Sequence, residues 1–136
     1  MNYWLVKTEP ESYSLGDLER KGEDCWDGVR NHQARNFMAK MNPGDLVFVY
    51  HSGKQKALVG MAKVISEPYS DPKAEEGEKW LAVDLRFETN LPKHVGLAAI
   101  KAADSLQDLL LIRQSRLSVM PITSSEAETL LKMANS

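Results

Sequence analysis

Residues 46–50, with the sequence LVFVY, constrain the fold more than any other stretch, because they place no hydrophilic side chain on either face of a strand. A strand of this kind is buried on both sides and lies inside a sheet rather than at its surface. The turn-forming stretch HSGKQK follows, and residues 58–65 then resume with β-branched and small side chains. We therefore predict two neighbouring antiparallel strands at the centre of the core.

The rest of the hydrophobic pattern predicts further strands and several short helices around this pair. Strands are predicted at residues 3–7, 80–87 and 116–122. Capping boxes at Ser14 and Thr123 each open a helix, Asn31 caps a helix over residues 31–41, and residues 97–111 form one or two helical pieces. Together they predict a mixed α+β fold, a small β-barrel of five to six mostly antiparallel strands whose openings are closed by flanking helices.

The length and the cysteine content limit the classes of protein. With 136 residues, 43% of them hydrophobic, the chain is expected to form one domain over residues 1–136. Cys25 is the only cysteine, which excludes an intrachain disulfide and a multi-cysteine zinc site, and we predict no cofactor. No apolar run approaches the ~18 residues that cross a bilayer, and no signal peptide is indicated. We expect a cytoplasmic monomer or weak dimer with no membrane partner.

The distribution of charge is more informative than its sum. A formal net charge of −2 argues against a protein that binds nucleic acid mainly by neutralising phosphates. Residues 30–63 nevertheless carry six basic side chains against one acidic side chain. One interpretation is a basic end that steers an anionic ligand, and the alternative is an ordinary solvated face.

Residues 25–37, with the sequence CWDGVRNHQARNF, hold more hydrogen-bonding side chains than a structural segment needs. Trp26 lies in a polar stretch before a helix begins, and its flat ring is the kind of surface on which a nucleobase stacks. The alternative for any tryptophan, including Trp4 and Trp80, is burial in the core. The polar neighbours of Trp26 make it the candidate ligand surface.

Amide and guanidinium groups follow Trp26 in the same motif. Asn31, Gln33 and Asn36 each offer a donor and an acceptor, as the edge of a base does. Arg30 and Arg35 have the planar geometry that binds a phosphate through two hydrogen bonds, and the first turn of the helix adds partial positive charge. The alternatives are a helix cap for Asn31 and plain surface exposure for the two arginines.

Further candidates lie where predicted strands end and loops begin, which is where a barrel presents functional groups. They are Lys7, Thr8, Tyr50, His51, Ser52 and Arg116. For Arg116, an ordinary surface charge is an equal alternative.

An enzyme is the rival interpretation. Cys25 and His51 could act as nucleophile and base in a small hydrolase or a nucleotide-processing enzyme. The sequence contains no Gly-x-Ser-x-Gly, no His-Glu-x-x-His, no deaminase zinc motif and no glycine-rich phosphate loop. We therefore predict a binding protein rather than an enzyme.

Six segments, taken in order, resemble the EVE domain family: YWLVKTEP, WDGVRNHQARNF, GDLVFVYHS, VGMAKV, WLAVDLRF and SRLSVMPIT. The resemblance covers essentially the whole chain. It implies a PUA-like fold, a small mixed β-barrel close in plan to the YTH domain, which binds methylated adenine in RNA. It also implies that the protein binds modified bases in DNA or RNA without carrying out chemistry on them.

The resemblance also implies which residues form a pocket for a flipped-out base carrying, for example, a methyl or hydroxymethyl group. By similarity to the YTH cage, Trp26 is one wall and Trp80 another, with Arg116 near the rim. The family's motif maps onto Lys7, Thr8, Trp26, Val29, Arg30, Asn31, Gln33, Ala34, Arg35 and Asn36, with Tyr50, His51 and Ser52 from the next strand.

Overall fold

The computed structural model describes residues 1–136 and has a mixed α+β fold with seven strands and five α-helices. A single 3-10 turn lies between α3 and α4. The elements are β1 (Tyr3–Thr8), α1 (Leu15–Lys21), β2 (Glu23–Trp26), α2 (His32–Met38), β3 (Leu46–His51), β4 (Ala57–Val64), β5 (Tyr69–Ser70), β6 (Leu81–Gly96), α3 (Leu97–Ala102), α4 (Leu110–Arg113), β7 (Val119–Ile122) and α5 (Ser124–Ala134).

The strands form an open sheet in the order β2-β6-β4-β3-β1-β7, and β5 pairs with β6 beside this path. Every pairing is antiparallel except that of β1 with β3. No pairing joins β2 to β7, so the sheet does not close into the predicted barrel, and it has seven strands rather than five or six. The two end strands are poor partners for closure, because each has four residues and β7 contains Pro121, which lacks an N–H.

The predicted central pair is confirmed as β3 and β4. Five of the six β3 residues are buried, as are seven of the eight β4 residues. The first and last predicted strands are confirmed as well, although β7 begins at Val119 rather than at residue 116. β6 runs to Gly96, far beyond the predicted 80–87, because its second half pairs with β4 while most of its side chains are polar and exposed.

The predicted caps are also confirmed. In α1 the Ser14 hydroxyl accepts from the Asp17 N–H, while the Asp17 carboxylate accepts from the Ser14 N–H. Thr123 and Glu126 form the same reciprocal pair at α5. The short helical pieces between residues 97 and 111 correspond to α3, the 3-10 turn and the start of α4. None of the helices combines the length and the apolar character needed to cross a bilayer.

The buried Asp45 ties the start of β1 to the turn that follows α2. Its carboxylate accepts hydrogen bonds from the Asn2 N–H at 3.0 Å, from the Trp4 indole at 2.9 Å and from the Asn42 N–H at 2.9 Å. Trp4 is only 4% exposed. The structural alternative therefore holds for Trp4, which leaves Trp26 and Trp80 as candidate ligand surfaces.

Candidate nucleic-acid interface

A cavity of about 510 Å³ opens where β1 ends and β2 leads into the loop before α2. This volume lies in the range of sites that bind small molecules, roughly 300–1,000 Å³. We refer to it as the Trp26 cavity. Its lining residues are Lys7, Thr8, Ser12, Tyr13, Lys21, Asp24, Cys25, Trp26, Asp27, Gly28, Val29, Lys73 and Ser118.

Two aromatic rings form one corner of the Trp26 cavity. The Tyr13 and Trp26 rings lie 5.8 Å apart between centroids, with an angle of 85° between their planes. Trp26 is 8% exposed, so most of the indole packs in the core and only a part of it reaches the cavity. Trp26 therefore packs in the core and also borders the cavity, and its role as a surface for a base stays a prediction.

A network of hydrogen bonds fixes Tyr13 in this corner. Its hydroxyl donates to Asp24 Oδ2 at 2.5 Å, the same oxygen accepts from Lys21 Nζ at 3.1 Å, and Asp24 Oδ1 accepts from the Cys25 N–H at 2.8 Å. Burial and the adjacent Asp24 carboxylate raise the pKa of Tyr13 far above its usual value. Burial by itself would raise the pKa of Asp24, but the hydrogen bonds from its three donors have the larger, opposite effect, so the pKa lies below its usual value. Asp24 is therefore an ionised group that already accepts three hydrogen bonds within the chain.

Asp71 holds the loop that carries the cavity wall. Its side chain is fully buried, and it accepts from the Gly28 N–H at 2.9 Å, from Arg30 Nη1 at 2.9 Å and from the Lys73 N–H at 2.7 Å. Gly28 has a φ of 78°, a left-handed conformation that glycine adopts without strain. Burial raises the pKa of Asp71, but its hydrogen bonds with Arg30, Gly28 and Lys73 outweigh that effect, so the pKa lies below the usual value.

We expect Asp71→Asn to reduce stability in a way that depends on pH. Because folding lowers the pKa of Asp71, its contribution is complete above the unfolded pKa of about 3.9 and is lost as the pH falls through the lower folded value. At pH 7 the loss of charge-assisted bonds should cost about 1–3 kcal/mol, and the difference from the wild type should shrink at pH 3 and below. Urea unfolding at pH 7, 4 and 3 measures both effects.

The exposed Asp108→Asn is the matched control, because its only partner is Arg113 at 3.7 Å. It should leave the free energy of unfolding nearly unchanged at all three pH values. A difference between Asp71→Asn and the wild type that stays constant from pH 7 to pH 3 would contradict the role of the Asp71 charge.

Three lysines surround the mouth of the cavity. Lys7 Nζ donates to the Ser115 carbonyl at 2.6 Å and lies 6.0 Å from the centroid of the Tyr50 ring, and burial lowers its pKa. Lys21 pairs with Asp24, and Lys73 Nζ lies 3.4 Å from Asp27 Oδ2. Three cationic and two anionic side chains therefore line the site, which makes it weakly cationic.

None of the three amides predicted from the motif lines the cavity, whereas the predicted residues Lys7, Thr8, Trp26 and Val29 do. The Asn31 side chain accepts from the Ala34 N–H at 2.9 Å and so serves as the helix cap, and Ala34 itself is buried in the core. Gln33 and Asn36 are exposed on α2. Arg35 donates to the Asn36 side chain at 2.7 Å and to the Lys79 carbonyl at 3.4 Å. These side chains lie on the helix that follows the cavity wall.

Trp80 belongs to a separate stack rather than to a second wall of the cavity. Its ring lies 4.9 Å from the His32 ring at an interplanar angle of 28°, and the Arg30 guanidinium carbon lies 5.5 Å from its centroid. Its indole N–H donates to Glu78 at 3.1 Å. Trp80 is not among the residues that line the Trp26 cavity.

The predicted residues at the end of β3 also lie outside the lining of the cavity. Tyr50 and His51 are buried, whereas Ser52 is half-buried and its N–H donates to the Thr8 carbonyl. His51 Nε2 accepts from the Leu15 N–H at 3.0 Å, so the ring proton is on Nδ1, which lies 2.8 Å from Gln55 Oε1. Arg116 is exposed and makes no side-chain hydrogen bond within the chain.

Nothing in the structure joins Cys25 to His51 as nucleophile and base. Both ring nitrogens of His51 are occupied by Leu15 and Gln55. Burial raises the pKa of the Cys25 thiol, and the charges of nearby aspartates raise it further, although the Tyr69 hydroxyl opposes this. A raised pKa keeps the thiol protonated, which is the reverse of what a nucleophile needs.

Several residues of the site could not be identified from the sequence. Tyr13 directly precedes the cap of α1, where an aromatic residue is usually explained by packing on the helix. Asp71 lies in a polar loop rich in Pro, Asp, Glu and Gly, where no pattern distinguishes it from its neighbours. Asp27 and Gly28 were visible only as part of the motif around Trp26. No cluster of three or more His, Cys, Asp or Glu side chains is arranged to hold a metal ion.

Comparison with known proteins finds one family and several close structural relatives. The EVE domain model matches residues 2–133. Thymocyte nuclear protein 1 of Mus musculus is 34% identical over 165 aligned positions, which cover 97% of this chain and 73% of the mouse protein. A protein from Agrobacterium tumefaciens has a TM-score of 0.95 at 39% identity and covers 98% of this chain and 93% of its own.

Human THYN1 protein, solved in complex with DNA containing 5-methylcytosine, has a TM-score of 0.93 at 31% identity. The match covers 100% of this chain and 99% of the human chain.

Proposed function

The chain belongs to the EVE domain family, and we propose that it binds nucleic acid by taking a flipped-out modified base into the Trp26 cavity, without catalysis. The observation that carries this proposal is an open cavity with an aromatic corner at the motif WDGVRN. The human relative's complex with 5-methylcytosine DNA supports the class of ligand. We therefore take 5-methylcytosine as the first base to test.

Contact between the base and aromatic side chains provides the free energy that offsets the cost of extruding the base from the duplex. Extruding a base from a duplex costs a few kcal/mol, and contact with an aromatic side chain returns ~1–3 kcal/mol per base. A methyl group adds about 0.8 kcal/mol when it is buried against apolar side chains such as Trp26 and Val29, which corresponds to roughly fourfold in affinity. We therefore expect a measurable but moderate preference for the methylated base over the unmodified base.

The cations at the mouth would hold the strand. If Lys7, Lys21 and Lys73 each neutralise one phosphate, the salt dependence of binding should have a slope near −2.7, or roughly 40-fold weaker affinity between 50 and 200 mM salt. The exposed or half-buried polar side chains around α2 are proposed contacts to the strand outside the cavity, together with the Trp80 stack and Arg116. For α2 and its preceding loop these are Arg30, Asn31, Gln33, Arg35 and Asn36.

Catalysis is not part of the proposal, because the candidate nucleophile and base do not meet. The Cys25 thiol is held in its protonated form, and both nitrogens of His51 are engaged with structural partners. The buried Tyr50 and His51 and the half-buried Ser52 would then support the wall formed by β1 rather than touch the base.

Competition binding tests the proposal directly. Duplexes of identical sequence should carry cytosine, 5-methylcytosine or 5-hydroxymethylcytosine at one central position, with the matching RNA strands as a second arm. We expect several-fold tighter binding to at least one modified duplex, read by fluorescence anisotropy at two salt concentrations. Lys132→Ala, on the exposed face of α5, should behave like the wild type. Equal affinity for modified and unmodified strands would overturn the proposal.

A further inference from the structure

Two aspartates line the Trp26 cavity, and only one of them accepts hydrogen bonds from its own chain. Asp24 accepts from three donors, as described above. Asp27 makes no hydrogen bond within the chain, and its only partner is Lys73 at 3.4 Å. The Asp27 side chain is 26% exposed and that of Lys73 is 70% exposed. Asp27 is therefore an acceptor at the cavity wall that remains available to a ligand.

The ion pair with Lys73 would not prevent Asp27 from binding a ligand. Exposed ion pairs contribute little to stability, and long lysine side chains leave them easily. A free carboxylate in a site for a polyanion would by itself weaken binding, because it repels phosphate. The Asp27 carboxylate would instead favour binding if it accepts a hydrogen bond from a group on the base that only donates.

We propose that Asp27 accepts a hydrogen bond from the exocyclic amino group of the captured base. The site would then select bases that carry an amino group, such as cytosine and adenine derivatives, against those with an oxygen there, such as thymine and uracil. Carboxylates recognise the cytosine amino group in this way, whereas a carbonyl oxygen facing the carboxylate would be repelled. This inference rests on the proposed function of the same cavity and adds a rule for its ligands.

Two bases that share the 5-methyl group but differ in the exocyclic amino group test the contribution of that amino group to binding. One duplex carries 5-methylcytosine opposite guanine, and the other carries thymine opposite guanine in the same sequence. The mispaired thymine is easier to extrude, so this comparison is biased against the proposal. We expect the wild type to prefer 5-methylcytosine at least fivefold, since one well-formed contact discriminates by roughly 5- to 150-fold.

Asp27→Asn should reduce this preference to within about twofold. An amide presents both a donor and an acceptor, so it satisfies either base. Removing a negative charge should also strengthen binding to all DNA, but that effect is equal for both duplexes and cancels in their ratio. Lys73→Gln keeps the carboxylate and should therefore keep the preference while binding becomes weaker. The exposed Asp108→Asn, outside the cavity, should match the wild type in both respects.

The outcomes separate this inference from the proposed function. If the wild type prefers 5-methylcytosine to cytosine and Asp27→Asn keeps the full preference over thymine, the role of Asp27 is wrong and the base-binding function stands. If the wild type binds cytosine, 5-methylcytosine and thymine duplexes equally, both are wrong. Thermal unfolding of each variant confirms that the ratios come from folded protein.

Discussion

Trp26→Ala is expected to weaken binding of a 5-methylcytosine duplex by roughly 5- to 150-fold, the loss that follows removal of one stacking side chain. The indole borders the cavity at the aromatic corner with Tyr13, and alanine leaves that wall without a ring. Binding to an unmodified duplex should weaken by up to about fourfold less, because the preference that the methyl group provides is lost together with the ring. Anisotropy titrations with both duplexes measure the two losses separately.

The Trp26→Ala variant needs a control for loss of folded protein, because Trp26 also packs in the core. Truncation of a buried tryptophan costs about 3–5 kcal/mol, so titrations of Trp26→Ala belong at low temperature with the folded fraction checked by circular dichroism. Trp26→Phe keeps a flat ring and should retain most of the binding. Trp4→Phe provides the matched control, because Trp4 is equally buried and does not line the cavity.

Trp4→Phe loses the hydrogen bond to Asp45 and should lower the unfolding temperature without changing the affinity for either duplex. If Trp4→Phe weakens binding as much as Trp26→Ala does, the effect reflects general destabilisation rather than contact with the base. If folded Trp26→Ala binds as the wild type does, the base does not stack in this corner.

The local signals in the sequence predicted the elements whose formation depends on their own residues. The apolar run of β3, the reciprocal caps of α1 and α5, and the Asn31 cap of α2 need only neighbouring residues to form. The four-residue strand β2 was missed because its sequence, EDCW, is polar and gains its order by pairing with β6. Openness of the sheet is likewise a long-range property that no local pattern encodes.

The residues of the candidate site also fall into two groups, those that the local sequence predicts and those that only long-range contacts bring to the cavity. Trp26 was identified because an aromatic residue in a polar motif is unusual, and the structure places it at a cavity. The amides of the motif were assigned by chemical type alone, which could not tell that Asn31 caps its helix. Tyr13 and Asp71 reach the site through contacts over 11 and 43 positions of the chain. Such contacts depend on how the loops fold back.

Gly60→Ala is expected to be among the most destabilising single substitutions in this chain. A Cβ atom at Gly60 would lie 2.1 Å from Leu15 Cδ2 and 2.6 Å from the Thr89 carbonyl oxygen. Gly60 follows an irregularity in the register between β4 and β6, where a small residue permits close approach of the backbones. The Leu15 side chain is buried and the Thr89 oxygen belongs to the backbone, so neither can move at little cost.

We expect Gly60→Ala to cost about 3 kcal/mol or more, at the upper end for overpacked sites, and to lower the unfolding temperature by roughly 10 °C. Calorimetry or urea unfolding measures the loss. Gly96→Ala is the matched control, because a Cβ there meets no atom within 4 Å and its φ of −71° suits alanine. That variant should stay within about 1 kcal/mol of the wild type, because the smaller conformational freedom of alanine in the unfolded chain opposes its cost at the N-cap of α3.

A double variant distinguishes the two contacts at Gly60. Shortening the neighbour in Gly60→Ala/Leu15→Val relieves the side-chain overlap but leaves the Thr89 carbonyl oxygen in place. We therefore expect the double variant to remain well below the stability of Leu15→Val alone. Full recovery to that level would mean that the backbone of β6 yields easily at Thr89, and that only the contact between β4 and α1 requires glycine.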